Sequence, residues 1–361
     1  MNFSTDDDRP GEVRRWVAIL AGGIGARFWP MSTPTRPKQL LPLVSDRPLI
    51  RDTIDRALGL APPDRIRILT TADLVAPFRS VIGELPDGAY VTEPRARGTA
   101  PVLARIAWAI ARTDPDAVLV SLHADHRIAP ESNFHDLVDH ASRIAARTGD
   151  LLTIGVRPDR AERGYGYIQP GAKMGEAAGT IARRVDAFHE KPGPETVHRY
   201  LEEGYLWNTG VFVWRVDRFL EEIGAHAPSI AGAFVHLERG DIGAYFDAVP
   251  SISVDHAVLE RSDRVAVVEA TFEWDDVGSW EALARTRTPD AAGNVTLGEV
   301  FVSDSERCIV ATEDDPVVLF GVEDLVVVRA AGVTLVTSRE RAGDLKDLLA
   351  GIPDAFRDPQ L

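Results

Sequence analysis

Apolar runs of four to six residues alternate, along the first half of the chain, with longer stretches that repeat an apolar position every third or fourth residue. The first run, residues 16–20 (Trp-Val-Ala-Ile-Leu), ends in Ala-Gly-Gly-Ile-Gly and reads as a buried strand stopped by a glycine-rich turn. Residues 50–60 have helical spacing, 65–71 alternate as a strand, and 89–92 form a further short strand ending in Glu93-Pro94. Residues 98–111 read as a helix with Thr99 as its N-cap and Pro101 in its first turn. A buried strand over 117–122 runs into His123-Ala-Asp-His126; a helix over 132–147 and a strand over 151–156 follow. This alternation predicts an α/β fold, Rossmann-like, with a mainly parallel central sheet. In such sheets ligands sit beyond the carboxyl ends of the strands, where the glycine turn and residues 123–126 both fall.

The pattern then changes. Residues 165–168 and 181–188 read as a β pair ending at Glu190-Lys191-Pro192, followed by a helix over 194–203 and a strand over 206–214. Helical segments fill 216–247, residues 265–269 are a strand, and residues 274–280 are a turn with two carboxylates among aromatics. A polar loop around Pro289 marks a domain boundary, giving 1–287 and 288–361. Beyond it short strands at 300–302, 308–312, 317–320, 325–329 and 334–337 predict a small C-terminal β domain, solenoid-like, closed by a helix over 341–350.

Composition narrows the function. The chain has 361 residues, 45% of them hydrophobic and 26% charged, as in a soluble globular protein with room for two domains. Neither an apolar run of membrane-spanning length nor a secretory signal is expected; residues 1–9 are polar and acidic. A net charge of −15 argues against nucleic-acid binding but not against a small anionic substrate met by a few focused cations. The single cysteine, Cys308, excludes an internal disulfide and a cysteine metal cage, and fits a cytoplasmic setting. Lysine occurs only at Lys38, Lys173, Lys191 and Lys346, so a lysine inside a motif suggests a need for a compact charge.

The glycine turn is the leading candidate for chemistry. Exposed backbone N–H groups after a strand accept phosphate, and Arg27 with Lys38 supplies cations. Phe28 stands where a dinucleotide fingerprint has its third glycine, and no Gly-Lys-Ser/Thr follows, so neither the Rossmann fingerprint nor the P-loop applies. Asp125, just past a buried strand, suits Mg²⁺ or caps the next segment. Asp275 and Asp276 offer a second ligand from a distant segment, or form a solvated turn. His123 and His126 lack zinc-site partners by spacing, and His126 is expected to orient its loop by hydrogen bonding. Tyr165-Gly166 and Trp207-Asn208-Thr209-Gly210 set polar atoms beside aromatic and glycine surface, which suits a sugar or a plain strand edge.

Taken in order, these pieces resemble the sugar-phosphate nucleotidyltransferases, in the form of the mannose-1-phosphate guanylyltransferases. The signature is Gly22-Gly-Ile-Gly-Ala-Arg-Phe-Trp-Pro30 with Pro37-Lys38-Gln39. It is supported by Glu93-Pro94, Thr99-Ala-Pro101, Ala124-Asp-His126, Gly164-Tyr-Gly-Tyr-Ile168, Glu190-Lys-Pro192, Leu206-Trp-Asn-Thr-Gly210 and Trp274-Asp-Asp-Val-Gly-Ser-Trp280. The resemblance implies transfer of GMP from GTP to α-D-mannose 1-phosphate, giving GDP-mannose and pyrophosphate. It implies that Gly22, Gly23, Gly25, Arg27, Lys38 and Thr99 bind nucleotide. Asp125 and Asp276 would hold Mg²⁺, and Tyr165, Gly166, Glu190, Lys191 and Asn208 the sugar phosphate, with Arg27, Lys38, Asp125 and Lys191 catalytic. The sequence departs from the family pattern at Ala26, Gly98, His123 and Thr209, and Gly98 removes an amide side chain near the nucleotide. A fused isomerase domain, carried by longer members, is not expected after Leu361. Another sugar 1-phosphate such as a manno-heptose, another nucleotide, and a non-catalytic sugar-nucleotide sensor are the alternatives. The apolar C-terminal β region makes a homodimer a candidate assembly.

Overall fold

The apolar run at residues 16–20 becomes the middle of the central sheet. The computed structural model describes residues 13–83 and 85–357, so the acidic stretch 1–9 lies outside the described residues. In chain order the first half comprises β1 (Arg15–Leu20), α1 (Leu49–Leu58), β2 (Ile66–Thr71), α2 (Ala72–Ile82), β3 (Tyr90–Glu93), α3 (Thr99–Ala111), β4 (Val118–His123), β5 (Arg127–Ala129), α4 (Glu131–Thr148) and β6 (Leu151–Val156). There follow β7 (Gly166–Ala177), β8 (Thr180–Glu190), α5 (Pro194–Glu202), β9 (Leu206–Arg215), the helices α6 (Val216–His226), α7 (Pro228–Gly232), α8 (Phe234–Glu238) and α9 (Ile242–Ala248), a π-helical turn Asp255–Leu259, β10 (Val265–Glu269), β11 (Glu273–Asp275) and α10 (Glu281–Thr286).

The large sheet has nine strands in the order β3-β2-β1-β4-β9-β6-β10-β8-β7. Every strand of it except β8 and β9 runs the same way. The pattern of alternation is thus met by a mainly parallel sheet, and the two reversed strands come from the segment where the sequence pattern changes. β1 pairs with β4 in a register that sets Leu20 beside His123, so the glycine turn and Asp125 emerge next to each other. Apolar residues face both sides of the sheet. Val17 and Ile19 join one core and Ala18 and Leu69 the other, as strands covered on both faces require.

Helix α2 and strand β5 are among the elements that escaped the sequence pattern. Helix α2 carries Pro77 in its interior, which breaks the sequence signal, yet Leu74, Phe78 and Ile82 bury one face of it. The short strand β5 pairs antiparallel with β11, setting Arg127 opposite Asp275, Ile128 opposite Trp274 and Ala129 opposite Glu273. The N-cap of α3 is Gly98, and Thr99 is its first helical residue; the Thr99 hydroxyl instead accepts the Val254 N–H at 2.9 Å. Gly98 has φ +78°, and a Cβ there would lie 2.5 Å from the Ile252 carbonyl oxygen, so the position takes glycine on both counts.

The C-terminal region contains β12 (Val295–Leu297), β13 (Val300–Ser303), β14 (Ile309–Thr312), β15 (Val317–Phe320), β16 (Leu325–Ala330), β17 (Val333–Ser338), α11 (Leu345–Gly351) and α12 (Asp354–Arg357). The expected closing helix begins at Leu345 because residues 339–344 wind as a tighter 3₁₀ segment. β12, β14 and β16 stack in parallel, as do β13 and β15, in the manner of solenoid coils. Asp304, Arg307 and Asp324 take positive φ between these strands. Val295, Ile309, Val326 and Leu335 share one core with Phe28, Trp29, Met31 and Leu41 from the stretch after the glycine turn. Trp280 is fully buried there, its ring 5.0 Å from that of Phe28 in an edge-on contact, and Arg36 makes a two-bond bridge to Glu313. Trp280→Ala should therefore lower the unfolding free energy by about 4 kcal/mol, read by urea denaturation. A loss under about 1 kcal/mol would show that this core is not what anchors the stretch.

Candidate active site

The glycine turn is closed by its own backbone: Phe28 N–H donates to Gly25 O at 2.9 Å and Lys38 N–H to Ile24 O at 3.0 Å. Gly25 has φ +72°, and a Cβ there would sit 2.2 Å from the Lys38 Cβ, so only glycine lets the two strands of this loop meet. Gly22 and Gly23 are exposed along a cavity of about 330 Å³ that Leu20, Gln39, Leu69, Glu93, Gly98, Thr99, Val102, His123 and Asp125 also line. Gln39 donates to Gly23 O at 2.9 Å, which leaves its buried Oε1 without a partner among the described residues. Arg27 is exposed in the turn.

Lys38 is buried and is the hub of the site. Its ammonium lies 2.9 Å from Asp125 Oδ2 and donates to the Asp276 carbonyl oxygen at 2.7 Å. Asp276 Oδ1 accepts from the Tyr165 hydroxyl at 2.6 Å and from the Gly278 N–H at 3.0 Å. Burial raises the Asp276 pKa, opposed by the Lys38 charge and the Tyr165 hydrogen bond and reinforced by Asp275 and Asp125. Burial together with the Asp276 charge pushes the Tyr165 phenol far up, so it stays a donor. Asp125 and Asp276 are 151 positions apart in the sequence and meet because β5 and β11 pair. The Asp125 carboxylate on the Lys38 ammonium, and the side chain of Asp276, whose backbone carbonyl holds the same ammonium and whose Oδ2 accepts no hydrogen bond among the described residues, offer hard oxygens that fit a divalent ion. Asp275 does not join them. It is buried, takes two hydrogen bonds from Arg285 and one from the Val277 N–H, and so is neither a solvated turn residue nor free for a metal.

A second group lies on β7, β8 and β9. Gly166 pairs with Glu190 across the β7–β8 ladder, and a Cβ on Gly166 would lie 2.6 Å from Glu190 Oε2. The absent side chain is what makes room for that carboxylate. Lys191 has φ +49°, its N–H donates to Tyr165 O at 3.2 Å, and its ammonium pairs with Glu190 while the side chain stays largely exposed. Asn208 Oδ1 accepts from Thr153 Oγ1 at 2.9 Å and from the Gly210 N–H at 3.2 Å, and its Nδ2 donates to Asp255 Oδ1 at 3.0 Å. Tyr165 joins this group to the Lys38 hub, and Arg160 steadies it by donating to the Tyr165 hydroxyl at 3.2 Å.

His123, Asp125 and His126 bring one ligand atom each within 4.8 Å of one another. His126 Nδ1 accepts the Trp274 indole N–H at 3.1 Å, and burial holds its imidazole well below the ordinary range, helped by the nearby charges. A neutral ring whose Nδ1 accepts carries its proton on Nε2. His126 is thus a neutral positioning group, stacked on His123 at 4.5 Å. Three residues without an assigned role in the sequence reading also belong here: Glu93, Arg160 and Asp255. Glu93-Pro94 was visible as a strand end, but nothing local marks the carboxylate as buried. Arg160 and Asp255 carry no local signal.

The family model described as "Nucleotidyl transferase" matches residues 17–326. A protein named mannose-1-phosphate guanylyltransferase from Klebsiella pneumoniae is 36% identical over 340 residues, covering 91% of this chain and 72% of that protein. One of the same name from Escherichia coli is likewise 36% identical over 340 residues, with the same coverage of 91% and 72%. The crystal structure described as a mannose-1-phosphate geranyltransferase from Thermus thermophilus superposes with a TM-score of 0.86 at 31% identity, covering 94% of this chain and 99% of that one.

Replacing Lys38 strips Asp125 and Asp276 of their shared cation. Lys38→Met should cost roughly 3 kcal/mol of folding stability near neutral pH, the scale of a broken buried pair. The raised folded-state pKa of Asp276 rises further in the variant, so the folded state binds protons more readily than the unfolded one. Stability is then greatest below the unfolded carboxylate pKa and falls as pH rises, so the deficit against the parent should shrink on acidification. Urea titrations of both proteins across that range check it.

Proposed function

The chain belongs to the nucleotidyl transferase family, and from that membership we propose that it transfers GMP from GTP to α-D-mannose 1-phosphate, releasing pyrophosphate. Its relatives named mannose-1-phosphate guanylyltransferase support the substrate pair. The nucleotide lies over Gly22, Gly23 and Gly25 with Thr99 beside it, and Arg27 and Lys38 meet its phosphates. Tyr165, Gly166, Glu190 and Asn208 hold the hexose and Lys191 its phosphate.

The observation that carries the choice of guanine is Glu93. It stands at the end of β3, is 8% exposed, and lines the cavity beside Gly22 and Thr99. Guanine presents two N–H donors on one edge, N1–H and the N2 amino group, and a carboxylate accepts both. Burial raises the Glu93 carboxyl to about 7, against the opposing charge of Arg105. Ionised Glu93 is the form that accepts, so binding of GTP strengthens as pH rises.

The sugar phosphate oxygen attacks the α-phosphorus in line and pyrophosphate leaves, with no covalent enzyme intermediate. The chain's own contribution is alignment and charge: Lys38 and Arg27 on the triphosphate, Lys191 on the incoming phosphate, Tyr165 holding Asp276 in place. Members of the family generally use a divalent metal. Asp125 and Asp276 would hold Mg²⁺, which would supply charge neutralisation for the phosphates when bound. As part of the same proposal, residues 1–287 form the catalytic domain and 288–361 a buttress for the glycine turn. No helix among the described residues is long and apolar enough to cross a membrane, and the reaction is assigned to the cytoplasm. Phe301, Val318 and Phe320, 65%, 69% and 71% exposed on the β13–β15 pair, support a homodimer through that face.

Pyrophosphate release over a panel of nucleotides and sugar 1-phosphates should peak with GTP and mannose 1-phosphate. Asp125→Asn should reduce kcat by about 100-fold or more at ordinary Mg²⁺, the scale of several kcal/mol of charge stabilisation lost. A peak with another pair, or near-native turnover by the variant, overturns the respective assignment. In the parent, KM for GTP should rise as pH falls below about 7. Glu93→Gln should flatten that dependence and lower kcat/KM for GTP by about 10- to 100-fold, one charged hydrogen bond; an unchanged GTP-to-ATP preference would remove Glu93 from base recognition.

A further inference from the structure

The segment 252–255 crosses between the two halves of the site and is stitched to the nucleotide side. Ile252 N–H donates to Arg97 O at 3.0 Å, Ala100 N–H to Ile252 O at 3.2 Å, and Val254 N–H to the Thr99 hydroxyl at 2.9 Å. The next residue, Asp255, begins the π-helical turn Asp255–Leu259, a rare geometry that recurs at functional sites. Its carboxylate reaches across to β9, where Asn208 Nδ2 donates to it at 3.0 Å. Burial and the nearby Glu190 carboxylate push it up to about 6, against Lys191 and His256 on the other side.

The donors and acceptors around it decide what it does. Asn208 Oδ1 is already taken by Thr153 and by the Gly210 N–H, and one hydrogen of Asn208 Nδ2 by Asp255. Asn208 therefore keeps only the second hydrogen of its Nδ2 for a ligand. Beside that one donor, these side chains offer a ligand acceptor oxygen, from Glu190 over Gly166 and from Asp255. Two carboxylates side by side are unfavourable without donors between them, and neutral hydroxyls supply donors without adding charge. A ring polyol has them on adjacent carbons.

We propose that Asp255 is a specificity-determining residue for the sugar, accepting a hydrogen bond from a ring hydroxyl of the hexose in the recess it shares with Glu190 and Asn208. This rests on the sugar 1-phosphate reading above and extends it to a residue that reading does not use. Because the Asp255 turn is tied to Thr99 and Arg97, the residue also fixes the hexose at a set distance from the nucleotide cavity.

Asp255→Asn tests it with little risk to the fold. Its amide oxygen can still accept from Asn208, while its outward group becomes a donor and no longer suits a hydroxyl proton. The steady-state assay uses the sugar 1-phosphate that the native protein turns over best in the panel, with its monodeoxy analogues. The expected result is a fall of about 10- to 100-fold in kcat/KM for the parent sugar phosphate, one charged hydrogen bond, with KM for the nucleotide changed less than about twofold. One deoxy analogue should be poor for the native protein and no worse than the parent sugar for the variant, identifying the hydroxyl read. An unchanged kcat/KM for sugar, an equal loss on the nucleotide, or a loss that is the same for every deoxy analogue overturns the proposal. Native turnover of a sugar other than mannose overturns the mannose assignment and leaves this experiment intact.

Discussion

A buried ammonium between two carboxylate-bearing loops is the constraint on which the site depends. Lys38 contacts Asp125 and the backbone of Asp276, and it reaches them only because the glycine turn folds back on itself at Gly25. Taking that charge out of water is costly, and the cost is offset only if both acceptors stay where they are. The strand pair β5–β11 keeps them there, and Tyr165 and Gly278 hold the Asp276 side chain from the other direction. The same arrangement that stabilises the loops presents oxygen ligands next to a phosphate-binding turn.

From this hub the structure extends two ways. On one side the parallel strands β3, β2, β1 and β4 end together, and their carboxyl ends carry Glu93, the glycines and His123 to one cavity. On the other, antiparallel β9 and the β7–β8 pair bring Asn208, Gly166 and Glu190 to the recess that Asp255 completes. The strap 252–255 spans the two and is hydrogen-bonded to the start of α3. The C-terminal coils do not line either pocket; they share a core with Phe28 and Met31 and so brace the turn from behind.

Much of this was readable in the chain. Runs of apolar residues marked the strands of the sheet to within a residue or two, except β7, read as ending at 168 and running on to Ala177, and residues 300–337 showed their coil strands in the same way. The pieces failed where a local rule was overridden. Pro77 hid a helix whose buried face outweighs its missing hydrogen bond. Thr99 looked like a cap because threonine commonly is one, but its hydroxyl bonds to Val254 and leaves the cap to Gly98. Asp275 and Asp276 read alike as neighbours in an acidic turn. The strand β11 ends between them, so one faces Arg285 and the other the Lys38 hub.

The amino-acid sequence by itself determined the α/β class, the glycine turn with its two cations, and the order of the motifs, because each depends on residues within a few positions of one another. It also sufficed to place the chain among the nucleotidyltransferases. Tertiary structure alone decided which carboxylates meet. Asp125 and Asp276, 151 positions apart, come together through a three-residue ladder between distant segments. Asp255 meets Asn208 through a π-turn anchored on a distant helix, and Glu93 becomes a buried acid where Arg105 of α3 and the glycine turn meet it. Periodicity records which face of an element is buried. It carries no record of which other element will cover that face, and the charge state of a carboxylate depends on that cover.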